Sequence, residues 1–519
     1  MAAQELNKKF HWGMIMCFVT AFQVLTSTVI ITKDGVNLKL LAVFGAYIAV
    51  EWLYFVIAST FFNQNNFEIE IIGFLFSSIG LVNCGGVYDG YAIKQAMCVL
   101  LGLVVFIVML CVLRRTDIVM LLRMPVAVAA FGLLAANLVL AKYNNGALNW
   151  ITIMDGLSIQ PSEFVKLAFI FVGAASLDKL QSTKSITKYL IFSFICIGAL
   201  FLMKDFGTAL IFFFTFIIIA FMRSGDVRTI ALVCVAAVLG AIMIIYFRPT
   251  VAARFETYRH IWESVNGKGM QQTRTLIYSA SGGLFGLGIG KGKMGAVVYS
   301  TTDLVFGMIC EEWGMIVAFT IVLTYVFILL YAIKIARTTR SAFYAIACCA
   351  AAGLMLFQAG LNIFGVTDIL PFTGVTLPFI SRGGSSIICS WGLLAFIKSA
   401  DIRTYPKLSK TILPDHPLYP ADVRIGKRPA QRKFVPQTVG TPTGGASGRA
   451  KNTAPQQKRT VSTVQKRTTP PAQKPPVRRT SSPDIPISRN TKPKTSAPSS
   501  NTPSQPKKPG APRRGGDRR

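Results

Sequence analysis

Runs of about 20 apolar residues recur from His11 to Lys398, each set off by a short polar segment. That is the length an α-helix needs to cross roughly 30 Å of hydrocarbon. The pattern predicts twelve spans, near residues 12–32, 38–61, 67–88, 91–113, 122–141, 161–178, 186–203, 205–222, 229–247, 303–333, 341–366 and 383–399. The first has no small-residue cleavage site behind it and reads as a retained helix, not a signal peptide. The expected fold class is an all-α polytopic membrane bundle of about 12 transmembrane helices.

An even number of spans puts both termini on one side, and the excess of Lys and Arg in alternate loops makes that side cytoplasmic. Arg114, Arg115, Arg123, Lys179, Lys184, Lys188, Arg223, Arg228, Lys334, Arg337 and Arg340 then face inward, against single outer cations such as Lys94, Lys142 and Lys204. Residues 248–302 become one extracellular loop, far longer than ordinary connections. The expected organisation is N-terminal transmembrane helices over 1–144, a core over 145–402 and a tail over 403–519.

Composition sharpens this picture. The 519 residues are 52% hydrophobic with a mean hydropathy of +0.50, which excludes an ordinary soluble protein. The net charge of +31 is mostly a tail property, because Thr404 onward carries 25 Lys/Arg against 4 Asp. That Pro/Ser/Thr-rich segment cannot bury a core and is expected to be a disordered cytoplasmic tail. It lacks the aromatic residues that stack on bases, so nucleic-acid binding is not expected. The ten cysteines lie almost entirely within apolar runs, and the three histidines are far apart, so neither disulfides nor a zinc site is expected. No cofactor is evident, and a divalent cation stays possible.

Four polar clusters interrupt the apolar pattern, and the topology puts all of them at the outer face. Glu163 and Lys166 follow Gln160-Pro161-Ser162; Lys204 and Asp205 open span eight; Asp303, Glu311 and Glu312 begin span ten. Pro371 to Gly374 and Ser381 to Ser386, with Ser385 and Ser386 at its end, bracket the mouth of span twelve. Ionisable groups inside a membrane are costly and mark functional sites by default. The plainer reading makes each a paired charge that holds helices together. The loop adds Arg254, Arg259, Lys268, Arg274, Lys291 and Lys293, suited to a pyrophosphate or to lipid headgroups. Its glycine run, Gly282 to Gly295, lacks GxxxxGK[ST], so nucleotide binding is not expected.

These segments resemble the SEDS family (shape, elongation, division and sporulation) of FtsW, RodA and SpoVE polymerases. The resemblance rests on NGALNWITI…SIQPSEFVKLA, KDFGTAL, SGGLFGLGIGKG, TDLVFGMICEEWG and LPFTGVTLPFISRGGSS, in family order from about Asn145 to Ala400. It implies polymerisation of lipid II into glycan strands at the outer membrane face in division or shape maintenance, beside a class B penicillin-binding transpeptidase. It also implies a substrate site drawn from Glu163, Lys166, Asp205, Arg254, Lys268, Gln271, Asp303, Glu311, Glu312, Ser385 and Ser386.

Departures from the family are specific. Ten spans are usual, so two are extra here, at the N-terminus. Asn149, Lys204 and Arg382 stand where arginine, proline and tyrosine are usual. The family's loop pattern, Trp-x-Asp-Pro-x-Gly-x-Gly-Tyr-Gln, becomes Trp262 to Gln271, and its catalytic aspartate aligns with Ser264. Serine is no general base at neutral pH, whereas a positioned base contributes about 10²–10⁴-fold. Glu263, one residue earlier and one methylene longer, is the expected substitute; otherwise Glu256 or an intramembrane acid takes the role, or the protein is catalytically silent. Two other functions compete: a non-catalytic scaffold for the transpeptidase, and a lipid flippase. The flippase would need a path open to both faces, whereas strong polar clusters are expected on one side only.

Overall fold

The computed structural model describes residues 12–405 apart from 63, 145–146, 155–156, 178–182, 226, 229–230, 232–233, 236–257 and 268. The ninth span, the tail from residue 406, Arg254 and Lys268 fall outside these. Five helices come first: α1 Trp12–Ile31, α2 Leu38–Phe61, α3 Glu68–Val87, α4 Asp89–Val112 and α5 Thr116–Leu140. Three short antiparallel strands follow: β1 Lys142–Asn144, β2 Ala147–Met154 and β3 Leu157–Ile159. Then come α6 Pro161–Leu177, α7 Thr183–Leu202 and α8 Phe206–Ser224. After the loop lie α9 Met270–Ser281, α10 Val305–Glu312, α11 Gly314–Ala336, α12 Ala342–Val366 and α13 Gly384–Ala400.

The protein is thus a mostly helical membrane bundle. Eight described helices are long and apolar enough to cross a membrane, and the apolar stretch of α7 and α13 are shorter. Two features depart from the expected pattern. The bundle is mostly helical as expected, but a small sheet, β1–β3, is added between α5 and α6. The expected span 303–333 is two helices, because Gly314 adopts a left-handed φ of +83° and breaks it after Glu312.

Burial separates an inner set of helices from a lipid-facing rim. The apolar stretches of α12 and α3 are 83% and 78% buried, against 17% for α5 and 28% for α4 and α11. Nearly every residue of α13 is buried. On the rim, Phe18, Leu25, Val104 and Phe319 stay exposed, as expected of side chains that meet lipid rather than water. α1 is joined to α2 by a buried polar contact, Gln23 Nε2 donating to Glu51 Oε2 at 2.8 Å.

Contacts between helix ends define two faces. Gln160, Asp205, Asp303, Ser385 and the loop share one end, called the loop end here. At the opposite end a second charged cluster ties α3 to the end of α13. Lys398 Nζ lies 2.5 Å from Glu70 Oε1 and also donates to the Asn66 carbonyl. Arg403 bridges Glu68 (2.8 Å) and Asp401 (2.7 Å), while Asn66 Nδ2 donates to Asp401 at 2.8 Å. The expectation of strong polar clusters on one side only is therefore corrected. Between the ends, Trp391 on α13 is fully buried against Phe74, Phe106 and Phe379, with ring centroids 4.8, 5.7 and 5.6 Å away. This aromatic layer separates Ser386 from Lys398 along the same helix.

Removing one partner of a buried ion pair strands the other, at a cost of about 3–5 kcal/mol. Lys398→Met is therefore expected to lower the melting temperature of the detergent-solubilised protein, and Lys398→Met with Glu70→Leu to regain most of the loss. Equal melting of single and double variants would show that the pair is not what holds α3 to α13.

Candidate functional site

The site is built from α6 outward. Pro161 opens that helix, where its missing N–H costs nothing, and Glu163 and Lys166 are one turn apart on its buried face. Glu163 Oε2 lies 2.7 Å from Lys166 Nζ, and both side chains are under a tenth exposed. The ammonium also donates to Gln358 Oε1 on α12 at 2.9 Å. Gln358 Nε2 in turn donates to the carbonyl and hydroxyl of Thr376 at 2.9 and 3.1 Å. The Thr376 hydroxyl meets Ser386 Oγ at 2.6 Å. One chain of polar contacts thus links α6, α12, the 370–383 segment and α13.

A second branch starts at Asp205, the N-cap of α8, whose Oδ1 accepts from Thr208 N at 3.2 Å. Its Oδ2 accepts from Gln160 Nε2 and from Asn149 Nδ2, both at 3.3 Å. The Gln160 backbone N–H donates to Ser385 Oγ at 3.0 Å. Five residues picked from the sequence, Glu163, Lys166, Asp205, Ser385 and Ser386, therefore stand together. Gln160, Gln358 and Thr376 complete the network. Gln160 was available to sequence reading as the start of the Gln-Pro-Ser-Glu segment, but Gln358 shares an otherwise apolar helix only with Asn362 and carries no such signal.

Glu311 and Glu312 sit elsewhere at the loop end. Glu311 accepts from the backbone N–H groups of Lys293 (2.8 Å) and Met294 (2.7 Å), and Glu312 from Gly290 N (2.9 Å). Their carbonyls accept from Leu287 N and Gly288 N at 2.9 and 3.1 Å. The glycine run is folded back around these acids, and a Cβ at Gly292 would lie 2.5 Å from Glu311 Oε2. Loop amides thus hold the two adjacent acids, and Lys33 adds a smaller favourable charge at Glu312. Glu312 lies ahead of the spanning helix α11, and burial pushes its carboxyl up to about 7. Asp303, in the turn before α10, is likewise pushed up to about 7 by burial. Its backbone carbonyl accepts from Asn362 Nδ2 at 2.8 Å, and that amide also reaches Val375 O at 2.7 Å.

Glu263 and Ser264 lie in a 3₁₀ turn, Ile261–Ser264, ahead of α9. The Glu263 side chain is 77% exposed and its Oε1 is 3.1 Å from His260 Nδ1. The Ser264 carbonyl accepts from Gly267 N and Gly269 N at 3.0 and 3.2 Å, and a Cβ at Gly269 would come within 2.7 Å of Ile261 O. The glycines at the family's two positions close this turn. No hydrogen bond or ion pair joins Glu263 or Ser264 to the α6 network among the described residues. The loop is tethered instead to the end of α12: Tyr258 hydroxyl donates to Ile369 O at 2.7 Å and Gln272 Nε2 to Gly365 O at 3.3 Å. Gln271, the aligned glutamine, is half-buried beside it. Arg259, Arg274, Lys291 and Lys293 are exposed on the same loop. Among the described residues no three of His, Cys, Asp and Glu gather as metal ligands. Arg382, at the family's tyrosine position, lies with its guanidinium 3.6 Å from the Tyr91 ring centroid.

The fold and the site together define a multi-pass helical membrane protein with a buried charged network beneath an extramembrane loop. Residues 67–405 match the family described as cell cycle protein, the FtsW, RodA and SpoVE group, and the chain belongs to that family. The match begins after α1 and α2, so these two helices lie outside it. The probable peptidoglycan glycosyltransferase FtsW of Bacillus subtilis is 29% identical over 306 residues, covering 54% of this chain and 72% of that one. Stage V sporulation protein E of the same organism is 31% identical over 254 residues, 47% of this chain and 68% of its own. Peptidoglycan glycosyltransferase RodA of Mycobacterium tuberculosis is 27% identical over 269 residues, 49% of this chain and 57% of its own. A solved structure of a peptidoglycan synthase complex that coordinates polymerization and crosslinking superposes with a TM-score of 0.54 at 22% identity, over 65% of this chain and 97% of that one. That likeness bears on the fold alone.

Two predictions follow from the geometry. A glutamine at position 311 has one acceptor oxygen in place of two, and a hydrogen bond to a charged group contributes about 1.5–3 kcal/mol. Glu311→Gln should therefore speed amide exchange over residues 290–296 by about tenfold or more, read by hydrogen–deuterium exchange. Asp303 binds a proton in the folded state that it has lost when unfolded between about pH 4 and pH 7. Its contribution to stability should fall as pH rises through that window, and Asp303→Asn should remove that part of the pH dependence of thermal melting.

Proposed function

We propose that this protein polymerises lipid II into glycan strands, with the loop end on the outer face of the bacterial cytoplasmic membrane and both termini inside. The observation that carries the reading is the buried network from Asp205 and Glu163 to Ser386, set under a basic loop in a chain whose relatives are named peptidoglycan glycosyltransferases. An acceptor sugar hydroxyl attacks the anomeric carbon of the lipid-linked donor. The new C–O bond forms as the bond to pyrophosphate breaks, that leaving group takes the electron pair, and the hydroxyl proton passes to a carboxylate.

Glu263 is the proposed acceptor of that proton. It is exposed, reaches solvent, and its partner His260 can relay the proton onward. Arg254, Lys268, Arg274, Lys291 and Lys293 would receive the pyrophosphate by charge-assisted hydrogen bonds. Gln271 would act with them at the loop. The network of Glu163, Lys166, Asp205, Ser385 and Ser386 would hold the helices around the sugar–pyrophosphate, with Asp303 at its edge. Glu311 and Glu312 would shape the loop that covers it. The partner would be a class B penicillin-binding transpeptidase, and a divalent cation would ride on the pyrophosphate and not in a protein cage.

A non-catalytic scaffold is the second reading, favoured by Ser264 at the family's aspartate position with its carbonyl spent in the turn. A flippase is disfavoured by the aromatic layer around Trp391, which divides the two polar ends. Purified protein supplied with lipid II and a candidate transpeptidase should form glycan strands. Glu263→Ala should cut the rate by about 10²-fold or more, while Ser264→Ala leaves it within a few-fold. Polymer formed only after Ser264→Asp would favour the scaffold, and lipid movement across proteoliposomes without polymer would favour transport.

A further inference from the structure

The second of the two helices that lie outside the family match creates a feature of its own. α2 packs beside α4 and leaves a cavity of about 450 Å³ at the end opposite the loop. Its walls include Leu53 and Ile57 of α2 and Leu103, Ile107 and Leu110 of α4, with Arg114 at the rim. Leu53 and Ile107 remain 58% and 43% exposed, so the groove opens sideways to the hydrocarbon and not into the bundle.

Its floor is fixed. Tyr54 donates to Glu70 Oε1 at 3.3 Å, and Tyr405 donates to Leu110 O at 2.7 Å. Both tyrosines are therefore held in place, one by the α3–α13 charge cluster and the other by α4 itself. The rim is cationic. Arg114 is exposed, its backbone carbonyl is held by Arg340 Nη1 at 3.0 Å, and no carboxylate pairs with its guanidinium among the described residues. The groove ends at Tyr405, beyond which the sequence carries 25 Lys/Arg against 4 Asp.

We infer that this groove binds one anionic phospholipid, its acyl chain along α2 and α4 and its phosphate on Arg114. An apolar slot open to lipid, with an unpaired guanidinium at headgroup depth and a basic segment adjoining, is complementary to that ligand and to no uncharged lipid in particular. The inference is independent of the polymerase reading, since α2 lies outside the family match and the groove is at the far end from the loop.

The test uses the full-length protein in detergent with phosphatidylglycerol bearing a diazirine on its acyl chain. Cross-links should concentrate on residues 50–62 and 103–114 and be competed by unlabelled phosphatidylglycerol about fivefold more effectively than by phosphatidylcholine. Arg114→Gln, an exposed change, should abolish that preference, and Ile107→Trp, which fills the slot, should suppress the labelling itself. Labelling spread evenly over all lipid-facing helices would overturn the inference. So would equal competition by the two lipids, or a wild-type pattern in both variants. A groove already occupied by the chain's own basic segment would appear as unlabelled 50–62 and 103–114 peptides, and that too would overturn it.

Discussion

The buried ammonium of Lys166 is the constraint around which the rest of the bundle is arranged. A charge at that depth must be matched in place, because no water is at hand to solvate it. Glu163 supplies the counter-charge from one turn earlier, and Gln358 supplies the neutral acceptor from α12. Gln358 then has two amide hydrogens to place, and it places both on Thr376. Each satisfied group demands the next, so the need to match one cation fixes how α6, α12 and the mouth of α13 meet.

The loop end is held by a different device. Glu311 and Glu312 end a short helix at the Gly314 break and draw the glycine run back over themselves through backbone amides. Side chains at Gly282, Gly286 and Gly292 would collide with Glu311 or Glu312. The result is a rigid lip beside a tethered turn that carries Glu263, while the polar network lies in the bundle below. At the opposite end Glu70–Lys398 and Arg403 with its two carboxylates close the structure, and Trp391 with its three phenylalanine neighbours lies between. The two charged clusters thus lie at opposite ends of a largely apolar middle, in which Glu51 of α2 is held by Gln23 of α1.

Much of this was legible from local pattern. Apolar run length marks the helices, and the i, i+3 spacing of Glu163 and Lys166 marks their pairing. Asp205 reads as a helix start because a carboxylate can cap the first-turn amides. The break at Gly314 was hidden because apolar runs flank the Glu311-Glu312 pair and Gly314 on both sides, and the left-handed φ is set where the loop packs against it. The strands at 142–159 were hidden because hairpins this short carry little alternation. Nothing local marks Glu68 and Glu70 as paired, since their partners Arg403 and Lys398 lie more than 300 residues away.

The sequence by itself determined the membrane class, the helix register and which ionisable groups enter the apolar runs, because each of these is set by residues within a few turns of one another. It also determined that two helices precede the family core. Only the tertiary structure decided which charges share a network, which are spent on backbone amides, and that a lipid-facing groove opens between α2 and α4. Those outcomes depend on which distant segment arrives to satisfy each polar group, and no local spacing encodes that arrival.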